Sequence, residues 1–449
     1  SGSELEVIKE MRFPHSLGLL YSAFTYYCGF RINSGEYKLM GLAPYGEKGS
    51  ARVREYRAKI EENLMWLKAD GSLFLNMEYF SFATELRTVR DAKWTELFGI
   101  APRGAESEIS QEYMDLALAI QEVTEEAVVR LARTARKETG LRHLVMAGGV
   151  ALNCVANARI IEENIFDAVW VQPASGDAGG ALGAALLGYY TYFGGARKSP
   201  GGDAMRGSYL GPAYSDEEAL RMAHRHEAVS THFTDFDALA TEVAKLIAGG
   251  SVVGWMQGRM EWGPRALGNR SILGDPRNPE MQKKLNLKIK YREGFRPFAP
   301  SVLEQYAAEY FEMGSAAKMP YMLFTVPVAR ARRKPQKQNG TLYERLYSPR
   351  SDIPSVTHLD YSARVQTVSA DTNERYAKLI EAFRRETGYG LVINTSFNVR
   401  GEPIVCTPED AYRCFMNTEM DYLVIGNLLF DKKKQPEWEK PDIEETYGL

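Results

Sequence analysis

Disulfide chemistry is what this sequence is least equipped for. Its four cysteines, Cys28, Cys154, Cys406 and Cys414, are scattered over 449 residues with no CxxC spacing, which argues for reduced thiols and against a disulfide frame or zinc knuckle. Long apolar runs are missing too. None reaches the roughly 20 residues that span a bilayer, and no signal-peptide pattern opens the chain. Neither charge dominates: the formal net charge is -3, without the basic surplus expected of a nucleic-acid binder. The GxSxG, HExxH, Walker and GxGxxG patterns are absent, as are internal repeats and low-complexity tracts, so serine-hydrolase, zincin, P-loop and Rossmann readings lose support. Together these absences favour a cytoplasmic enzyme with no membrane and no nucleic-acid partner.

What remains is the composition of a globular protein, 45% hydrophobic and 25% charged, in a chain too long for one ordinary core, so two or three domains are expected. SLGLLYSAFTYYCGF reads as a buried helix. EYKLMGLAPYG ends in a turn that brings backbone close to something, and Asp70-Gly71 reads as a structural hairpin turn. From Tyr113 to Glu138, Leu116, Ile120, Val123, Ala127, Val128 and Leu131 fall at helical spacing, and Gly140 stops the run. Two strand, Gly-turn, helix units follow, LVMAGGVALNCVANARI and AVWVQPASGDAGGALGAALLGYY. They place helix N-termini along one sheet edge, where phosphates are readily held. Residues 194 to 215 are rich in Gly, Pro and Ser and read as a linker. The helix DALATEVAKLIAGG and strand SVVGWM open a second domain, which closes with a helix near Ile380, the strand LVINTSF, a helix from Pro408 and the strand YLVIG. Residues 329 to 352 read as an exposed polar loop.

The most telling stretch runs from Gly258 to Ser301. It carries Arg259, Arg265, Arg270, Arg277, Lys283, Lys284, Lys288, Lys290, Arg292 and Arg296, interleaved with Gly, Trp, Pro and Phe. Gly263, Pro264 and Gly268 set turns, while Trp262, Phe295, Phe298 and Pro300 are too apolar for a floppy charge run. Arg forks suit carboxylates and phosphates, so this pattern favours an anion pocket over a solvated basic face.

Other candidates stand beside bland alternatives. Gly148, Gly149 and Asn153 fit either a phosphate-holding turn or a plain strand-to-helix connection. Asp177 fits either a ligand or metal contact or a helix cap. NTSFNVRGEPIV presents Asn394, Thr395, Ser396, Asn398 and Arg400 at a strand's end, either for a nucleotide or as a capped loop. His358 and Asp360 read as hydrogen-bonded structure, with Arg364 available to the anion pocket. His15 reads as structural. His143, His224, His226 and His232 show no convincing metal spacing.

Taken jointly, FPHSLGLLYSAFTYYCGF, SGEYKLMGLAPYG, GGVALNCVANARI, PASGDAGGALGAAL, WGPRALGNRSILGDPR, GFRPFAPSVL and NTSFNVRGEPIVCTPEDA resemble the O-carbamoyltransferases of the NodU/CmcH type. The resemblance implies an α/β architecture: a partial actin/hexokinase-like (ASKHA) domain over residues 1–210, a linker over 211–235, and a YrdC-like domain, α+β in character, over 236–449. It further implies that carbamoyl phosphate and ATP give carbamoyl adenylate, whose carbamoyl group passes to a hydroxyl of a sugar or natural product. KYREGFRPFA and NTSFNVRGEP look like YrdC-type runs. By that likeness Lys290, Arg292 and Arg296 are expected to be catalytic, and Arg259, Arg265, Arg270, Arg364, Thr395, Ser396 and Asn398 to bind ATP and carbamoyl phosphate. Gly148, Gly149 and Asn153 would hold carbamoyl adenylate in the first domain, with Asp177 on a metal. The implied cofactors are ATP and Mg²⁺, with Fe²⁺ a candidate at the transfer site. Such proteins begin with a further subdomain bearing a phosphate loop and a His-x-x-x-His motif, and neither precedes residue 113. About a domain's worth of chain, on the order of 100 residues, is therefore expected to be missing, an absence that bears on metal binding and the transfer step but not on adenylate formation. Two competing functions are an RNA-directed tRNA-modification module and a non-catalytic nucleotide-binding fragment.

Overall fold

The amphipathic pattern that begins near Tyr113 becomes a single helix, Gln111–Thr139, ended by Gly140 at φ 65°. A computed structural model of the protein describes residues 4–105, 107–197, 201–291, 294–314, 318–335 and 342–439. The chain divides into two compact units, residues 1–199 and 200–449.

In the first unit the long helix buries Leu116, Ile120, Val123 and Ala127 and packs against helices Leu17–Tyr27, Glu36–Leu42, Ala51–Lys59 and Cys154–Glu162. The turn in EYKLMGLAPYG makes its close approach here. A Cβ on Gly46 would lie 2.6 Å from Leu118 Cβ and 2.8 Å from the Met114 carbonyl. Phe24, Tyr27, Phe80, Trp94 and Phe98 form an aromatic cluster beside it, with Phe24 and Trp94 centroids 4.7 Å apart. Strands β1 (Met65–Leu67) and β2 (Leu73–Leu75) pair antiparallel across the Asp70-Gly71 turn, where Asp70 accepts from the Ser72 N–H. His15 accepts from the Leu75 N–H at 3.1 Å, a structural contact.

The two strand-turn-helix units form a parallel pair, β3 (His143–Met146) and β4 (Ala168–Val171). The Gly148 N–H donates to the Ser175 carbonyl at 2.8 Å, which ties the two turns together. The helix Asp177–Leu187 buries none of its residues, and Val145, Trp170, Leu187, Tyr192 and Phe193 are exposed.

The second unit is built on an eight-stranded mixed sheet in the order β11-β8-β12-β7-β6-β13-β14-β5. Its strands are β5 (Ser230–His232), β6 (Val253–Met256), β7 (Arg270–Gly274), β8 (Ala299–Leu303), β11 (Gln366–Val368), β12 (Leu391–Ser396), β13 (Tyr422–Ile425) and β14 (Leu428–Asp431). A separate antiparallel pair joins β9 (Thr325–Pro327) to β10 (Ser362–Arg364). Every residue of β6, β7, β8 and β11 is buried, as expected of strands covered on both faces. Helices Phe236–Ala248 and Glu374–Thr387 pack together, setting Leu239, Val243, Ile247, Tyr376, Leu379, Ile380 and Phe383 on Val253, Trp255, Leu273, Val392 and Val424. Each such large side chain contributes roughly 1.5–3 kcal/mol on full burial.

Two stretches differ from the sequence reading. Residues 211–235 carry the helix Asp216–Arg225, opened by a Ser215–Glu218 capping box, and β5, which joins the sheet edge. The polar run 329–352 is not wholly exposed: Arg350 and Ser351 are buried, and the Arg350 guanidinium donates to the Leu346 and Thr357 carbonyls. A polar side chain that finds carbonyl partners can be buried without the usual penalty.

Candidate anion site

Strand β12 lies between β7 and β8 and is antiparallel to both. Its first four residues, Leu391 to Asn394, are buried, and its end at Thr395 and Ser396 is half-exposed. Beyond it Phe397 is fully buried, its N–H on the Arg270 carbonyl and its carbonyl on the Val405 N–H. The turn that follows is therefore held in place.

Lys290 meets this turn. It ends the short helical run from Met281 and is 3% exposed. Its ammonium donates to the Ser396 carbonyl, to Ser396 Oγ at 3.3 Å, and to the Asn398 carbonyl and Oδ1, each at 2.9 Å. Ser396 Oγ in turn donates to Asn398 Oδ1 at 2.7 Å. A buried ammonium held on these oxygens places a positive charge in a setting of low polarity. Cys414 lies close enough to feel it: burial pushes that thiol up to about 12, and Lys290 opposes the shift.

The segment from Gly258 to Arg270 folds around a carboxylate. Glu261 Oε1 accepts from the Leu267, Asn269 and Arg270 N–H groups at 2.7, 2.8 and 3.3 Å. Burial raises its carboxyl above the ordinary range, against the pull of those N–H groups. At the base Arg270, with no exposure, donates to the carbonyls of Gln257, Gly258, Asn269, Pro212 and Cys406. Burial draws its guanidinium below its ordinary value, and Glu261 offsets part of that. Only glycine fits at 268: φ is 108°, and a Cβ would lie 2.2 Å from Tyr376 Cδ1.

Loop and strand meet at Asn394, which is 2% exposed. Its amide nitrogen faces three acceptors, the Ala266 carbonyl at 3.2 Å and Ser301 Oγ and Gln366 Oε1 at 3.0 Å each. Gln366 Nε2 and the Tyr209 hydroxyl both donate to the Leu267 carbonyl. Asn394 Oδ1 is buried without a hydrogen-bond partner among the described residues.

The structure thus brings Lys290, Ser396 and Asn398 into direct contact and sets the Arg265 loop against the same strand. Arg265 is half-buried, next to Ala266, and Thr395 stands in β12 opposite Ile272. Arg259 is exposed and donates to the Leu210 carbonyl at 3.4 Å. Arg296 is half-buried, and its carbonyl accepts from Asn286. Arg364 pairs across to Thr325 in β9. Arg292 lies outside the described residues. His358 is half-buried, and its desolvation lowers its basicity, while Asp360 closes a turn onto Ser362.

In the first unit, open space surrounds Gly148 and Gly149 where a side chain would stand, and Gly148 has φ 98°. Asn153 is the N-cap of Cys154–Glu162, its Oδ1 on the Ala156 N–H and its amide on Gln121, which also accepts from Tyr21. Asp177 is exposed at the first position of its helix. Among the described residues no group of three His, Cys, Asp or Glu side chains is arranged to hold a metal. One exposed carboxylate does not fit the donor set of an iron centre.

Glu261, Ser301 and Gln366 were not singled out by the sequence. Glu261 did carry a signal, as the lone acid between Gly258 and Gly274. Ser301 and Gln366 carried none that separates them from ordinary strand residues.

The first unit matches the family described as Carbamoyltransferase N-terminus over residues 1–186, and the second matches Carbamoyltransferase C-terminus over residues 244–432. The class this defines is a carbamoyl-transferring enzyme. The chain belongs to the carbamoyltransferase family. It is 54% identical to an uncharacterized protein of Synechocystis over 444 residues, which are 98% of this chain and 71% of that protein. It is 37% identical to nodulation protein NolO of Bradyrhizobium diazoefficiens, over 96% of this chain and 72% of the relative. Nodulation protein NolNO of Sinorhizobium fredii is also 37% identical, and there the chain spans 58% of the relative's length. No helix among the described residues is long and apolar enough to cross a membrane.

Proposed function

We propose that the second unit makes carbamoyl adenylate from carbamoyl phosphate, ATP and water, releasing phosphate and pyrophosphate, as a YrdC-like domain. The carbamoyl group then passes to a hydroxyl of a sugar or natural product: the hydroxyl oxygen attacks the carbamoyl carbon, the bond to AMP breaks, and the hydroxyl proton is lost. Transfer belongs to the first unit, read as actin/hexokinase-like, where Gly148 and Gly149 leave room for a phosphate beside a helix N-terminus. Asp177 alone gives no basis for routing that step through a metal.

One observation carries the reading: the Lys290 ammonium is buried at the end of β12, on Ser396 and Asn398, with the Arg265 loop packed on the same strand. Activating a carbamoyl phosphate beside a triphosphate concentrates negative charge, and fixed cations in a low-dielectric site are what stabilise it. ATP enters as its Mg²⁺ complex. In this reading Ser396, Asn398 and Thr395 supply short polar contacts to phosphate, and Arg265, Arg296 and Arg364 are assigned to binding the same substrates through their guanidinium groups. Arg270 serves by another route, holding the loop's base through its five carbonyl partners. The setting proposed is the cytoplasm, where ATP is at hand.

The test is ATP–pyrophosphate exchange by the 449-residue chain with and without carbamoyl phosphate, in magnesium. Exchange that requires carbamoyl phosphate is the expected result. A folded sample that shows none would remove adenylate formation from this chain.

A further inference from the structure

We propose that Glu261 is a positioning residue of the anion site: its carboxylate is the inner brace of the loop from Gly258 to Arg270 and so fixes where Arg265 stands beside β12. The inference rests on the carbamoyl phosphate reading above. Glu261 is 6% exposed, and a single oxygen, Oε1, gathers three N–H groups, those of Leu267 and Asn269 in the loop and of Arg270 at the start of β7. Charged acceptors bind N–H groups about twice as strongly as neutral ones, so a carboxylate organises this loop where an amide would hold it less tightly. The loop is then passed to the site by two contacts. The Ala266 carbonyl accepts from Asn394 on β12, two residues before the Ser396 that holds Lys290, and the Leu267 carbonyl accepts from Gln366 and Tyr209. Arg265 immediately precedes this anchored pair. Its station is therefore set by a residue four positions earlier that does not face the substrate.

Burying a carboxylate costs several kcal/mol unless it is well bonded, and the charge of Arg270 offsets part of that here. Tyr209 and Tyr376 feel the charge of Glu261, and both are raised chiefly by burial. For loop closure alone, an asparagine turn or a proline would serve at less expense. A carboxyl oxygen shared by three N–H groups gives the stiffer loop that a bound dianion requires of its arginine, since misplacing a reacting group by about 1 Å can cost about a hundredfold.

The test uses the full chain. Wild type, Glu261→Ala and Glu261→Gln are compared in carbamoyl phosphate-dependent ATP–pyrophosphate exchange, and amide hydrogen exchange at Leu267, Asn269 and Arg270 is followed in the same samples. Glu261→Ala is expected to raise the KM for carbamoyl phosphate by about tenfold or more while kcat stays within about threefold, and the three amides lose protection. Glu261→Gln, which keeps an acceptor oxygen, recovers part of both. A fall in kcat at unchanged KM overturns the proposal, because that is what a smaller folded fraction alone would give. Unchanged protection at the three amides overturns it as well. Should Glu261→Ala fail to fold, Glu261→Gln decides by the same two readouts, with a KM rise of about threefold expected. Absence of exchange in the wild type would instead remove the functional reading, and amide protection would still decide whether Glu261 braces the loop.

Discussion

Lys290 and Arg270 are both buried cations of the same basic stretch, and their partners separate their work. Lys290 sits on the oxygens of a turn at a strand end, whereas Arg270 spends its donors on five backbone carbonyls. Lys290→Ala is therefore expected to reduce carbamoyl phosphate-dependent exchange by about a hundredfold or more, with far-UV circular dichroism retained. Wild-type exchange in that variant would take the site away from Lys290. Arg270→Lys is expected to lower stability by about 2 kcal/mol, because one ammonium cannot reach carbonyls spread around a planar fork. An unchanged urea midpoint would show that other donors take over. The sequence marked both residues as anion ligands because charge and glycine spacing look alike in the two cases. Which carbonyls surround a side chain is settled by Pro212 and Cys406, far off in the chain, and no local pattern announces that.

Single elements were more legible. The helix from Pro408 was readable because Thr407, Pro408 and Asp410 make a helix start that depends on neighbours only, and the structure closes it as a capping box. Burial works to raise the Asp410 carboxyl, yet the Thr407 N–H and hydroxyl and the Cys406 N–H hold it below its ordinary value. A lowered native value means the stabilisation is present above the unfolded value of about 4 and is lost as pH falls through the native one. Urea midpoints followed from neutral pH down to acid should therefore drop more steeply in the wild type than in Asp410→Asn. Parallel slopes would dismiss the cap as the titrating group. The turn at Gly46 was readable as a close approach but not as an approach to Leu118 and Met114, which come some seventy residues later. Gly46→Ala should cost about 1–3 kcal/mol by overpacking that contact, measurable as a shift in urea midpoint.

At the scale of the whole molecule, two compact units divide the chain at residue 199. Calorimetric and van't Hoff enthalpies of unfolding should disagree for such a chain, and agreement would mean that the units melt as one block. The parallel and antiparallel neighbours within the eight-stranded sheet were not legible, because strand order depends on pairings between distant segments. That same order has a temporal consequence. The Asn394 cluster draws on residues 266, 301, 366 and 394 and on strands β8, β11 and β12. Closing loops of that span is slow relative to forming helices, so secondary structure should return early in refolding and catalytic competence last. Recovered activity would then serve as a clock for the final pairing of the sheet, running behind every spectroscopic signal of the helices.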